Sequence, residues 1–142
     1  RKTKLVIAGG PTEISRAYYN NLIDENVNNA DIIFLNKVSH KQLQVIYKIA
    51  NVQVVPSMLN EAFGLTVVEG MSAGIPMIVS NSGGIPEIVK DDCAIIVERK
   101  DIVKQIVDAL NTIYENKGQI CEKMTENGKK RVQVFSLDNF FC

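Results

Sequence analysis

The sequence predicts an α/β fold in which helices cover both faces of a parallel β-sheet. Two observations support this prediction. Five short, almost wholly apolar segments have the length of strands, and they alternate with longer segments whose apolar residues recur at helical spacing. Strands that are apolar on both faces are typical of parallel sheets, in which helices bury both faces. We therefore expect three layers, with the sheet in the middle.

Turn and capping residues set the boundaries of these elements. Gly9-Gly10-Pro11 ends the first strand, and Ser39 with Gln42 three residues later forms a capping box that starts a helix. Pro56 ends the third strand, because proline has no N–H to donate within a sheet. The predicted strands are 5–8, 31–35, 52–55, 77–79 and 94–97. The predicted helices are 13–26, the helix that starts at Ser39, 65–73, 102–114 and 120–132.

Four loops lie at the carboxyl ends of the predicted strands, where parallel sheets bind their ligands. They are residues 9–11, 36–40, 57–63 and 81–86. These loops are expected on one rim of the sheet, so we expect the functional residues there.

The composition excludes several classes of protein. The chain has 142 residues, enough for one domain, and its sixteen Lys and Arg balance sixteen Asp and Glu. Zero net charge argues against a nucleic-acid-binding module, and an apolar content of 46% argues against disorder. No apolar run reaches the roughly 18 residues of a membrane span. The three cysteines lie far apart without a CxxC pair, so we expect reduced thiols in a cytoplasmic protein.

The charges are unevenly distributed along the chain. Residues 49–89 contain no Lys or Arg but carry three carboxylates, Glu61, Glu69 and Glu87. The segment after residue 90 alternates acidic and basic residues densely, as solvated helix faces do. A cation-free stretch with three carboxylates is either buried core or a binding site.

The start of the third predicted helix has the features of an anion-binding site. The first N–H groups of a helix have no intrahelical acceptor, and the helix dipole favours a phosphate there. Gly64 lets a ligand approach the backbone closely. Glu61 and Glu69 flank this position, and carboxylates accept hydrogen bonds from hydroxyls, which favours a ligand such as a nucleotide sugar. From the residues alone it is equally open that Glu69 is a favourable helix charge and Glu61 a solvated loop residue.

Residues 56–89 resemble the nucleotide-sugar half of family 4 retaining glycosyltransferases. That half carries two glutamates separated by seven residues, which correspond here to Glu61 and Glu69. Residues 5–9 are similar to the family's first strand and glycine, and residues 34–38 to its base-binding loop. The flanking motifs that also match are Pro56-Ser57, Phe63-Gly64-Leu65, Gly74-Ile75-Pro76 and Gly83-Gly84-Ile85-Pro86-Glu87.

The resemblance implies a Rossmann-like domain, the C-terminal half of a GT-B enzyme, which binds the donor. It implies that Glu61 is the catalytic residue beside the donor sugar and that Glu69 accepts hydrogen bonds from the nucleotide ribose. No metal cofactor is expected, because amides and cations would neutralise the leaving diphosphate. The other implied donor contacts are the backbone amides of Phe63, Gly64, Leu65 and Thr66, the base contacts of Val38 and Leu43, and Gly9.

Two residues near these positions depart from the family pattern: Asn36 stands where the family usually has Gly, and Gly70 where it usually has Ala. We expect His40 to be a surface residue in the first turn of its helix. Glu87 either faces a sugar from its loop or starts a short helix after Pro86.

The resemblance also implies parts of the protein that precede Arg1. Family members carry a further strand and helix, with an Arg and a Lys against the diphosphate, and an N-terminal domain that binds the acceptor. We therefore interpret residues 1–142 as a single donor-binding domain of a longer enzyme, inactive alone.

The resulting hypothesis is transfer of a sugar, with retention, from a UDP- or GDP-linked donor to a saccharide or lipid-linked acceptor. Such a transferase would serve polysaccharide or glycolipid biosynthesis in the cytoplasm, with the full-length protein peripheral at the inner face of the membrane. Two alternatives remain open. One is a nucleotide-sugar epimerase of the same fold, and the other is a non-enzymatic flavodoxin-like binding domain. A flavodoxin-like receiver domain would carry an acidic pair after its first strand. This chain has Gly9-Gly10 there, which argues against the flavodoxin-like alternative.

Overall fold

The computed structural model describes residues 3–90, 92–116 and 118–135. Every strand pair in these ranges is parallel, so the predicted α/β fold class is confirmed. The strands are β1 (Leu5–Ile7), β2 (Ile32–Phe34), β3 (Gln53–Val55), β4 (Met77–Ser80) and β5 (Ile95–Val97). The helices are α1 (Arg16–Glu25), α2 (His40–Ile49), α3 (Leu65–Ala73), α4 (Ile85–Ile88), α5 (Ile102–Glu115) and α6 (Gln119–Val132), followed by a 3₁₀ helix over Gln133–Phe135.

The chain divides after Ile46 into two compact units. In the first unit β1 pairs with β2, with Leu5 opposite Ile32. The ring of Tyr19, from α1, meets that of Phe34, from β2, edge to face at a centroid distance of 6.0 Å. None of the described residues of this unit is buried, so all its apolar side chains stay partly exposed.

The second unit has the three layers that the sequence predicts. Its sheet has the order β3-β4-β5, so β4 lies in the centre and all four of its residues are buried. Successive side chains of a strand point to opposite faces. Met77 and Val79 accordingly pack with residues of α3 and α4, while Ile78 packs with Ala109 and Ile113 of α5. The cation-free stretch of residues 49–89 therefore supplies much of the core of this unit.

Local polar contacts explain where two helices begin. The predicted capping box at α2 is confirmed, because the backbone N–H of Ser39 donates to Oε1 of Gln42 at 2.8 Å and Ser39 Oγ accepts from the Gln42 N–H at 3.3 Å. Helix α1 starts three residues later than predicted. The side chains of Thr12 and Ser15 accept hydrogen bonds from each other's backbone N–H groups at 3.3 and 3.0 Å, which holds this segment in a turn.

Two features of the described helices bear on the predictions. Glu87 lies within α4, directly after Pro86, so the short-helix interpretation of this residue is the correct one. His40 is exposed in the first turn of α2, as expected. Across the described ranges, no helix is long and apolar enough to cross a membrane.

Candidate functional site

Helix α3 begins with unpaired backbone donors. Gly64 precedes it with φ +63°, a left-handed conformation that glycine adopts without strain, and no side chain caps this end of the helix. Within the described part of the chain, the N–H groups of Leu65 and Thr66 have no acceptor. The Leu65 side chain is 67% exposed, so this helix start faces solvent. Its donors are therefore available to an anionic ligand.

Two buried serines, one at the end of β4 and one just after it, hold the loop before α3, residues 57–63 (hereafter the site loop). Ser80 Oγ donates to the carbonyl oxygen of Ser57 at 2.8 Å, and Ser82 Oγ donates to that of Leu59. Both serines are fully buried. Because buried hydroxyls and carbonyls are costly to leave unpaired, these bonds fix the path of the site loop.

The glycine pair Gly83-Gly84 brings its backbone against that of Glu61 and Ala62. The N–H of Gly84 donates to the Glu61 carbonyl at 2.9 Å. A Cβ atom on Gly83 would overlap the Glu61 carbonyl oxygen and lie 2.7 Å from the Glu61 nitrogen, and one on Gly84 would lie 2.8 Å from the Ala62 oxygen. The two glycines therefore permit a backbone-to-backbone contact that places Glu61.

The Glu61 side chain lies beside the start of α3. A Cβ atom on Gly64 would be 3.6 Å from Cγ of Glu61, so the structure brings these two predicted site residues together. Among the described residues, no cation or hydrogen-bond donor contacts the half-buried carboxylate of Glu61. A carboxylate in this state can accept hydrogen bonds from hydroxyls of a ligand at the helix start.

Glu69 lies in the second turn of α3 and is paired on one side. Its Oε2 accepts a hydrogen bond from the Tyr47 hydroxyl at 3.1 Å. Burial, followed by the negative charge of Glu69 and this hydrogen bond, raises the pKa of Tyr47 to about 12, against an opposing effect of the Gln53 side chain. The Tyr47 hydroxyl therefore stays protonated and can donate its hydrogen bond to Glu69 throughout the physiological pH range.

Phe63 is linked to the end of the described chain. Its ring, 44% exposed, meets the ring of Phe135 edge to face at 5.9 Å. The Arg131 guanidinium lies 5.0 Å from the centre of the Phe135 ring and donates to the carbonyls of Ile88 and Glu87 at 3.1 and 2.9 Å. Helix α6 thus holds the C-terminal end of α4, and the 3₁₀ helix that follows it covers one side of Phe63.

The remaining predicted residues, Gly9, Val38 and Leu43, lie in the first unit. Gly9 has φ +136° and donates its N–H to the Asn36 carbonyl at 2.8 Å, so the loops after β1 and β2 meet. Asn36 itself has φ +51°, which explains why the family favours Gly there, since Asn tolerates the left-handed region better than most residues. Val38 and Leu43 are half-buried.

The structure also shows polar residues near these loops that sequence reasoning missed. In the first unit an open cavity of about 440 Å³ is lined by Arg16 and Lys37 together with Gly10, Pro11 and Asn36. In the second, Arg99 donates to the Met58 carbonyl and to Oδ1 of Asn60 at 3.3 and 3.2 Å, so a cation from outside the cation-free stretch reaches the site loop. Arg99 is about forty residues from the loop in sequence, and no local pattern signals the contact.

Comparison with protein families gives a match over nearly the whole chain. Residues 1–131 match the family described as Glycosyl transferases group 1. The D-inositol 3-phosphate glycosyltransferase of Mycobacterium tuberculosis is 32% identical over 140 residues, which are 96% of this chain and 29% of that protein. An uncharacterized glycosyltransferase of Methanocaldococcus jannaschii is 38% identical over 78 residues, which are 55% of this chain and 19% of that protein. The chain thus spans less than a third of the length of these curated relatives.

Solved structures show the same fold. The sucrose-phosphate synthase of Thermosynechococcus elongatus superposes with a TM-score of 0.78 at 29% identity, covering 92% of this chain and 34% of that one. Anabaena HepE, solved in complex with UDP-glucose, superposes with a TM-score of 0.85 at 18% identity, covering 96% of this chain and 38% of that one. The family match over residues 1–131 therefore identifies the protein: the chain belongs to the group 1 glycosyl transferases, and its α/β fold is that of their GT-B structures.

Proposed function

We propose that this chain is the donor-binding part of a retaining glycosyltransferase and that it binds a nucleotide diphosphate sugar. One observation carries the proposal: the uncapped, solvent-facing start of α3 lies next to the Glu61 carboxylate, with Glu69 one turn further along the helix. Such a site offers donors for phosphate oxygens and acceptors for hydroxyls. That HepE has been solved with UDP-glucose supports this ligand class.

The proposed roles follow the polarity of each group. The amides of Phe63, Gly64, Leu65 and Thr66 bind the diphosphate and part of the sugar. Glu61 accepts hydrogen bonds from the sugar hydroxyls and acts at the transfer centre, and Glu69 accepts hydrogen bonds from the ribose. In the first unit, we assign Val38, Leu43 and Gly9 to the nucleotide base and its surroundings, with either uracil or guanine as the base.

The proposed reaction moves the sugar from the diphosphate to a hydroxyl of a saccharide or lipid-linked acceptor, with the anomeric configuration retained. The leaving diphosphate needs more positive charge than a helix start supplies. We assign this charge to an Arg and a Lys outside this chain rather than to a metal, and the acceptor to a further domain. The curated relatives are more than three times as long as the matched region, which supports such additional parts. On this proposal the chain alone does not transfer sugar, and the whole enzyme works in the cytoplasm.

Removal of the Glu69 carboxylate tests the donor site. Titration of the chain with UDP and with GDP, followed by amide chemical shifts, should perturb residues 63–69. Glu69→Ala should weaken binding by about tenfold or more, because a hydrogen bond to a charged group contributes about 1.5–3 kcal/mol. Glu122→Ala, at an exposed glutamate of α6, should bind as the wild type does. If saturating nucleotide leaves the amide chemical shifts of residues 63–69 unchanged, the donor site is refuted.

The role of Glu61 is tested in the same series with the full-length enzyme. Glu61→Ala should retain nucleotide affinity within a few-fold and the far-UV circular dichroism of the wild type, while turnover falls by about 100-fold or more. A Glu61→Ala enzyme with wild-type turnover would end the assignment of Glu61 to the transfer centre.

A further inference from the structure

Two side chains from outside α3 hold the first two turns of that helix. The Tyr47 hydroxyl donates to Oε2 of Glu69 at 3.1 Å, and Nε2 of Gln53, in β3, donates to the carbonyl oxygen of Thr66 at 3.1 Å. The Gln53 side chain also lies close enough to the Tyr47 hydroxyl to lower its pKa, against the larger effects of burial and Glu69. Gln53 and Tyr47 therefore form a neighbouring pair of polar side chains, one bonded to the Thr66 carbonyl and the other to the Glu69 carboxylate.

The Tyr47 contact leaves Glu69 with one oxygen engaged and one available. Within the described ranges, Oε1 of Glu69 accepts no hydrogen bond. A glutamate side chain has three rotatable bonds, and an exposed one samples many rotamers. Because Tyr47 fixes Oε2, the direction in which Oε1 can accept a hydrogen bond is fixed as well.

Gly70 makes room for Gln53, one member of this pair. A Cβ atom on Gly70 would overlap Oε1 of Gln53 and lie 3.0 Å from both Cδ of Gln53 and Cε of Met77. The departure from the family's usual Ala at this position therefore has a physical reason: the Gln53 amide occupies the space of an alanine methyl. Oε1 of Gln53 is buried and has no hydrogen-bond partner among the described residues.

A buried amide oxygen without a partner is unfavourable for folding. A buried apolar side chain in place of Gln53 would avoid that cost and allow Ala at position 70. The arrangement is explained if the Gln53 amide is needed for what its nitrogen does, which is to hold the Thr66 carbonyl in the first turn of α3.

We propose that Tyr47, supported by Gln53 in the space left by Gly70, is a positioning residue that orients the Glu69 carboxylate toward the ribose of the donor. The inference rests on the proposed function, in which Glu69 binds the ribose. Tyr47 itself does not touch the ligand; it determines which Glu69 oxygen is presented and in which direction.

Deoxynucleotides separate positioning from a general structural role. The dissociation constants of wild type and Tyr47→Phe are measured for UDP and GDP and for their 2′-deoxy and 3′-deoxy forms. The wild type should prefer the ribonucleotide over at least one deoxy form by about tenfold, the value of a charge-assisted hydrogen bond. Tyr47→Phe should lose most of that preference, weakening the ribonucleotide while leaving that deoxy form within about twofold. Tyr114→Phe, which removes a hydroxyl from α5, should keep the wild-type preference.

A second variant, at Gly70, tests the contribution of Gln53. Gly70→Ala displaces the Gln53 amide and should reduce the ribose preference by a smaller factor than Tyr47→Phe. If Tyr47→Phe weakens ribonucleotides and deoxynucleotides equally, or keeps the full preference, the positioning role is overturned while the donor site stands. If the wild type binds nucleotide without any ribose preference, the ribose contact of Glu69 fails, and the role of Tyr47 fails with it.

Discussion

The two glycine pairs of this protein have the same sequence and opposite surroundings. Gly9-Gly10 follows β1 in the first unit, and Gly83-Gly84 follows β4 in the second. A Cβ atom on Gly9 would meet nothing within 4 Å, and one on Gly10 would meet the Lys37 nitrogen at an ordinary 3.5 Å. A Cβ atom on Gly83 would overlap the Glu61 carbonyl oxygen. The first pair borders open space, whereas the second is packed against another backbone.

This difference shows that a Gly-Gly pair at a strand end can have two physical causes. At Gly9 the cause is conformational, because φ is +136°, a region that L side chains rarely adopt. At Gly83 a positive φ of +53° is combined with a contact that leaves no space for a methyl group. The open pair, Gly9-Gly10, leaves room for a ligand. The packed pair, Gly83-Gly84, fixes the backbone of Glu61.

The largest effect is expected from a methyl group at Gly83. Gly83→Ala should lower the free energy of unfolding by about 3 kcal/mol or more, since left-handed strain and overlap with the Glu61 backbone add. Gly9→Ala should cost about 1–2 kcal/mol, because strain occurs there without overlap. Urea denaturation of both variants measures the difference. Equal losses would show that the two pairs are glycine for the same reason.

The second residue of each pair isolates the contact from the strain, because neither Gly10 nor Gly84 has a positive φ. Gly84→Ala should lower the free energy of unfolding by about 2 kcal/mol, because its methyl group lies too close to the Ala62 oxygen. Gly10→Ala should change it by no more than about 0.5 kcal/mol. The same denaturation experiment decides, and a neutral Gly84→Ala would mean that the site loop moves away freely.

In the loop that contains Gly83-Gly84, the smallest effect is expected from the buried hydroxyl of Ser82. Ser82→Ala leaves the Leu59 carbonyl without its donor and should cost about 1 kcal/mol. Ser15→Ala removes an exposed hydroxyl from the turn after Gly9-Gly10 and should cost about 0.5 kcal/mol or less. Hydrogen exchange should become faster in the site loop of Ser82→Ala. Unchanged exchange there would show that Ser82 does not hold this loop.

The parts of the fold that depend on neighbouring residues could be predicted from the sequence. Helix α3 has the bounds that the sequence predicts, since Gly64 and Gly74 flank it and both adopt the left-handed region that glycine allows. Helix α2 starts where its capping box places it. The start of α1 was predicted wrongly, since mutual bonds between Thr12 and Ser15 compete with the helix.

The parts that depend on distant residues could not be predicted. Tyr47 meets Glu69 across 22 residues, and Ser82 meets Leu59 across 23. Neither pair has a spacing that a helix or strand period explains, so the contacts arise from tertiary packing. Glu61 and Glu69 were identified through a family motif, and their roles as sugar and ribose ligands stay predictions.

The contact of Arg131 and Phe135 with α4 and Phe63 has a practical consequence for protein engineering. Residues after α6 are commonly removed when a shorter variant is wanted. Here a deletion that removes Phe135 would expose more of Phe63, at the end of the site loop. It would also remove the aromatic ring that Arg131 packs against. A version of the second unit that keeps this contact must therefore extend at least through Phe135.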